Sequence, residues 1–170
     1  MPNNPNLSFV KIPDYDYSVL PEGIHPITES EFQAFFVTSF PDSSTRHEIA
    51  EKYGIFRQKL QQFFSSIHWI DGSFVESKTN PNDVDVAVII PFDDILNLTF
   101  NFEIILNRYF ENKNEMKKEY LTHPFSIIKF PDEHIFNYKY HNSITYWKKW
   151  FGHNRNNQSK GFVALEVNKK

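Results

Sequence analysis

The sequence predicts one domain of mixed helix and strand, an α/β chain of the α+β kind, and three observations carry that prediction. Short β-branched or apolar runs, Val84 to Ile90 above all, have the length and composition of buried strands. Between them lie longer stretches whose apolar residues recur at three- and four-residue spacing, as the buried stripe of a helix does. At 170 residues, with 18 Phe, 8 Tyr and 3 Trp, the chain is long enough for one aromatic core, and no repeat or low-complexity tract marks off a second domain.

Residues 1–17, rich in Pro and Asn, predict an extended N-terminal arm. His25, between Ile24 and Pro26, reads as structural rather than catalytic. Thr28-Glu-Ser-Glu31 has the spacing of a capping box and starts a helix to about Thr38, with Phe32, Phe35 and Phe36 as its apolar stripe. After Phe40-Pro41, Asp42-Ser43-Ser44 offers an N-cap for a helix running to about Ser66. Ile49, Tyr53, Phe56, Leu60, Phe63 and Phe64 mark its inner side, and Arg57, Lys59 and Gln62 the wetter one. His68 to Ile70 reads as a short strand. Phe92 to Glu111 reads as one helix, buried along Ile95, Leu98, Phe102, Leu106 and Phe110, with Asp93-Asp94 suiting its positive end. Residues 112–118 are either its solvated end or a loop; Lys113, Lys117 and Lys118 form a solvated face or a small basic patch. Phe125 to Phe130 is the next strand, closed by Pro131. Ser143 to Phe151 is a helix anchored by Trp147 and ended by Gly152. Phe162 to Val167 is a strand on which Glu166 faces away from Val163, Leu165 and Val167.

The chemistry concentrates between Asp71 and Pro91. Strand alternation puts Asp83 and Asp85 on one face, with Cα atoms roughly 7 Å apart, and Val84, Val86, Val88 and Ile90 on the other. Two carboxylates at the mouth of an apolar strand are costly unless paired. Mg²⁺ is a common remedy, since it takes oxygen ligands and is often held by one or two carboxylates plus substrate phosphate oxygens. Gly72 lets the backbone approach a ligand closely, and Ser73 offers a hydroxyl beside backbone N–H groups to a phosphate. The plainer alternative makes Asp83 a turn cap after Asn80-Pro81-Asn82 and Asp85 a solvent-facing side chain.

This pattern resembles the Gly-Ser, spacer, Asp-x-Asp signature of nucleotidyltransferases with the DNA polymerase beta type of fold, and within them small bacterial stand-alone members. Leu20 to Pro26, Tyr146 to Gly152 and Lys160 to Val167 extend the resemblance over most of the chain. It implies a mixed β-sheet with helices packed mainly on one face. It also implies Mg²⁺- or Mn²⁺-dependent transfer of a nucleotidyl group from a nucleoside triphosphate to a hydroxyl of a protein or RNA, in a setting such as bacterial toxin–antitoxin or phage defence. Asp83 and Asp85 would be the catalytic metal ligands, and Gly72 and Ser73 would hold the leaving phosphates. Arg155 and Lys160, in the loop before the last strand, would clamp a phosphate tail, or else belong to an exposed hairpin connection. Relatives with two-metal chemistry carry a third carboxylate on a neighbouring strand; the matching position is expected at Ser126, which brings no charge. Glu166 is the expected substitute, ahead of Asp132 or Glu133. The alternatives are a catalytically degenerate member that binds nucleotide or a partner, and a purely structural interaction module with an exposed aromatic surface.

A net charge of −3 gives no overall drive toward nucleic acid, so any such contact needs a local basic patch. With no Cys there is no disulfide framework or thiolate zinc site, and the seven His show no HExxH spacing. No apolar run reaches the roughly 18 residues of a membrane span, and the N-terminus lacks the parts of a signal peptide. The expectation is a cytoplasmic protein without a membrane partner.

Overall fold

The computed structural model describes residues 19–99 and 101–170, so the expected arm over 1–17 lies outside the described residues. The elements run β1 (Gly23–Ile27), α1 (Glu29–Gln33) widening into a π-helical turn (Ala34–Thr38), α2 (Arg46–Leu60), β2 (Ser66–Asp71), a short 3₁₀ turn (Ser73–Val75), and β3 (Val84–Pro91). They continue with α3 (Phe92–Leu96), α4 (Phe102–Leu106) passing into a second π-helical turn (Asn107–Glu111), α5 (Lys113–Tyr120), β4 (Thr122–Lys129), α6 (Asn137–Phe151) and β5 (Gly161–Val167).

The strands form one mixed sheet in the order β1-β5-β2-β3-β4. β2 lies antiparallel to both β3 and β5, whereas β4 runs parallel to β3 and β1 parallel to β5. Alternation then separates two apolar faces. Val84, Val86, Val88 and Ile90 pack with Val163 and Leu165 against α1, α2, α4 and α5, whose Phe32, Tyr53, Phe56, Ile105 and Met116 fill the larger core. The other face carries Trp69, Ala87, Ile89, Ile127 and Phe162, and α6 lies on it through Ile144, Trp147 and Phe151. The helices therefore sit mainly on one face, with α6 on the other.

Local chemistry explains most boundaries. Thr28 caps α1 in a complete capping box, its side chain accepting from the Glu31 N–H while the Glu31 carboxylate accepts from the Thr28 N–H. The helix expected over 92–111 is two: the Asn97 side chain turns back to the Asp93 carbonyl, and Asn101 caps a fresh start by accepting from the Glu103 N–H. Residues 113–120 form a helix of their own, and α2 stops at Leu60, short of Ser66, where β2 begins. His25 is structural, as expected, its Nε2 lying 2.7 Å from the Pro21 carbonyl.

Candidate functional site: an acidic cluster at one end of the sheet

Cross-strand register builds this site. Asp85, the second residue of β3, stands opposite Asp71, the last residue of β2, and on its other side opposite His123 of β4. These three share the face that carries Trp69 and Ala87, and Asp83, just ahead of β3, lies close enough for its charge to act on Asp85. The chain leaves Asp71 through Gly72, whose φ of +81° suits glycine. The turn brings its backbone so close to Asp85 that a Cβ at Gly72 would collide with the Asp85 carboxylate. Ser73 follows at once, half-buried, in the 3₁₀ turn. Gly72 and Asp85 thus meet at one corner of the molecule, with Ser73 next in the chain after Gly72 and Asp83 two residues before Asp85.

The loop from the 3₁₀ turn to Asp83 is fastened to the start of α2. Phe74 and Val75 are buried in the larger core. Arg46, fully buried, donates from Nη1 to the carbonyls of Phe36 and Phe74 and from Nη2 to those of Glu76 and Lys78, at 2.6–2.8 Å. Four carbonyl acceptors satisfy four of the donor directions of a guanidinium buried inside the protein. Further along, the Asn80 Oδ1 accepts from the Ser44 N–H, and Thr45 Oγ1 donates to the Pro81 carbonyl. Sequence reasoning missed Arg46, although it lies three residues before Ile49 and seven before Tyr53, on the buried stripe of α2.

Each carboxylate faces a basic side chain of the chain itself. Lys117 of α5 pairs with Asp83 at 2.6 Å, and His123 Nδ1 lies 3.1 Å from Asp85. Lys160, 2 % exposed, pairs with Asp71 and reaches Glu76 at 3.1 Å. Burial pushes the Asp71 carboxyl up to about 6, outweighing the pull of the Lys160 ammonium. Burial also raises Asp85, and the nearby Asp83 charge raises it further, while His123 and Lys117 act the other way. Lys117 is raised by its bond to Asp83.

Three expectations are corrected. Ser126 is not the residue beside the acidic pair: it stands opposite Val88, and so on the opposite face of the sheet from Asp85. The β4 residue opposite Asp85 is His123, which was missed because the strand starts at Thr122 rather than Phe125. Glu166 does not compensate for an absent third acid. It stands opposite Ile67, which pairs with Ile89, two strands over and four residues along from Asp85, or roughly 16 Å from strand spacings. The nearest third carboxylate is Asp71, from β2. Finally, Lys160 is no open clamp, because its ammonium is spent on Asp71 and Glu76, and it does not act together with Arg155, which is exposed. Asp132 and Glu133 are exposed in the turn after β4.

Glu166 instead lines a cavity of about 760 Å³ at the other end of the sheet, with Glu29, Arg57, Gln61 and Lys169. Its ionic centre, the Arg57–Glu29 pair, is already neutralised. At the acidic cluster, by contrast, two carboxylates stand close together at a glycine turn. For a divalent ion the cluster provides two adjacent carboxylates, Asp83 and Asp85; among the described residues no group of three His, Asp or Glu converges as a ready metal cage. Two carboxylates fit a Mg²⁺ that takes its other ligands from water and phosphate. No helix among the described residues is long and apolar enough to cross a membrane.

Among known protein families, residues 13–166 match the model described as "Family of unknown function (DUF6932)", and the chain belongs to that family. No curated protein and no solved structure matches it.

Proposed function

We propose that this member of the DUF6932 family is a cytoplasmic nucleotidyltransferase-like protein that joins a nucleotidyl group from a nucleoside triphosphate to a hydroxyl of a protein or RNA. The observation that carries the reading is the meeting of Gly72 with the Asp85 carboxylate, with the Asp83 charge close enough to act on Asp85. Mg²⁺ or Mn²⁺ held by Asp83 and Asp85 would supply charge neutralisation for the triphosphate. The chain's own groups do the positioning. Gly72 leaves room at Asp85 that any side chain would fill, and Ser73, next in the chain, would offer its hydroxyl and N–H to a phosphate there. Arg46 keeps the loop between them rigid. Lys117, half-exposed on α5, can swing from Asp83 toward a phosphate, whereas Lys160 is fixed.

A second reading, a catalytically degenerate module that binds nucleotide or a partner, is favoured by one feature: Asp71 and Asp83 each pair with a lysine of the chain, and Asp85 with the His123 imidazole. Calorimetric titration of a non-hydrolysable triphosphate, with and without Mg²⁺, separates these readings when paired with radiolabel transfer from each NTP into cell extract. The transferase reading expects Mg²⁺-dependent binding, label transfer, and loss of both in Asp85→Asn. Binding without transfer selects the degenerate module, and no binding under any condition removes both nucleotide readings.

A further inference from the structure

We propose that the outward side of α6 is a binding surface for single-stranded nucleic acid. The charge of the chain is divided along its length. Residues 134–165 contain five Lys or Arg and no Asp or Glu, which leaves 13 basic against 21 acidic residues elsewhere. Lys160 of this set is buried, but Lys139, Lys148, Lys149 and Arg155 are exposed, and among the described residues none of these four is in an ion pair. The overall negative charge therefore conceals one basic surface, with a polyanion as its complement.

Aromatic rings lie among those cations. Tyr146 and Trp150, one helical turn apart, are 56 % and 63 % exposed and stack nearly parallel, with centroids 6.2 Å apart and planes 10° from one another. Tyr138 lies on the same helix, 57 % exposed. Rings of this size are seldom left in water without a partner, and parallel ring faces beside Lys are the arrangement on which unpaired bases stack. A lipid surface fits less well. The one aliphatic residue of α6, Ile144, packs on the sheet with Trp147 and Phe151, so the outward side has no aliphatic chain to insert. It is the inward side of α6 that leads to the acidic cluster: Trp147 packs on Phe125, Phe125 on His123, and His123 meets Asp85. The proposal itself requires neither metal nor catalysis.

The test is fluorescence anisotropy of the intact chain with a labelled 20-nucleotide single-stranded RNA, the same sequence as a duplex, and phosphatidylserine vesicles as a separate arm. Expected are preference for the single strand and Trp fluorescence quenching. Tyr146→Ala with Trp150→Ala should weaken binding by about tenfold or more. Lys148→Gln with Lys149→Gln should lower the salt slope by about 1.4, while circular dichroism stays unchanged in both. No binding at low salt, equal binding by the ring variant, vesicle binding in place of RNA, or displacement of the RNA by poly-glutamate at equal charge would each overturn the proposal. The last of these would point to an acidic protein partner.

Discussion

At the scale of single residues, the chain shows which side chains local rules can place. Alternation put Asp83 and Asp85 on one face, and a Gly-Ser pair before a strand announced a turn; both rules need only near neighbours in sequence. His123, Asp71 and Lys160 enter the cluster through strand register and through a residue 89 positions away, which no local pattern encodes. Gly72→Ala tests the turn: at φ +81° and against the Asp85 carboxylate, the added methyl should cost about 1–3 kcal/mol in urea unfolding. Nucleotide binding should fall further than stability alone requires. His68 gives a second prediction, far from the cluster. It is fully buried between the Tyr53 hydroxyl, 2.9 Å from Nδ1, and Ser66 Oγ, 3.0 Å from Nε2, and burial depresses its pKa to about 3. The unfolded chain therefore takes up a proton between pH 6.5 and 3 that the folded chain refuses, so this contribution is complete above pH 6.5 and falls away on acidification. Between pH 7 and 5 the wild type should lose about 2 kcal/mol more than His68→Gln, measured by urea titration at both pH values. A parallel pH dependence in the two proteins would show that His68 is protonated when folded.

At the scale of elements, helices with a full apolar stripe were legible and boundaries governed by single polar residues were not. The sequence showed α2 through its aromatic stripe, and β3 through its β-branched run. β1 escaped because Gly-Ile-His-Pro-Ile has no such run and, among the described residues, pairs along one side, to β5, where its proline is tolerated. α6 begins at Asn137, ahead of the expected Ser143, since its first turns put polar and tyrosyl side chains into solvent rather than on an apolar stripe. The loop after the Gly-Ser turn behaves as an element in its own right, with Arg46 at its centre. Arg46→Lys keeps the charge but has one nitrogen where two served four carbonyls, so several buried acceptors lose their donor. We expect destabilisation of at least about 2 kcal/mol, together with faster proteolytic cleavage between Phe74 and Asn82 than global unfolding explains. Cleavage that tracks global stability alone would mean the loop is held by Phe74 and Val75 instead.

For the whole molecule, the decisive feature is the strand order, which the sequence did not disclose. β5 comes last in the chain, yet it lies between β1 and β2, parallel to one and antiparallel to the other. Phe162, Val163, Leu165 and Val167 are buried, and the strand contributes to both cores, with Phe162 touching Trp69 and Phe151 on the α6 side. Removing residues 161–170 would therefore do more than shorten an edge. It would deprive β1 of its partner strand, expose the flank of β2, and take about four large side chains from the interior, each worth roughly 1.5–3 kcal/mol of burial. Against a typical domain stability of about 5–15 kcal/mol, that loss should unfold the chain, seen as loss of the cooperative urea transition and of near-ultraviolet ellipticity. Removing residues 19–27 takes away the marginal strand of the described sheet and one buried core side chain, Leu20, and should leave a cooperative, weaker transition. Equal effects from the two truncations would contradict the central position of β5. The same order ties folding to the acidic cluster: Lys160 immediately precedes β5, so it reaches Asp71 only once the last strand has docked. Hydrogen exchange during refolding should show the Gly72 and Ser73 amides, beyond the β2–β3 ladder that ends at Asp71, gaining protection together with those of β5.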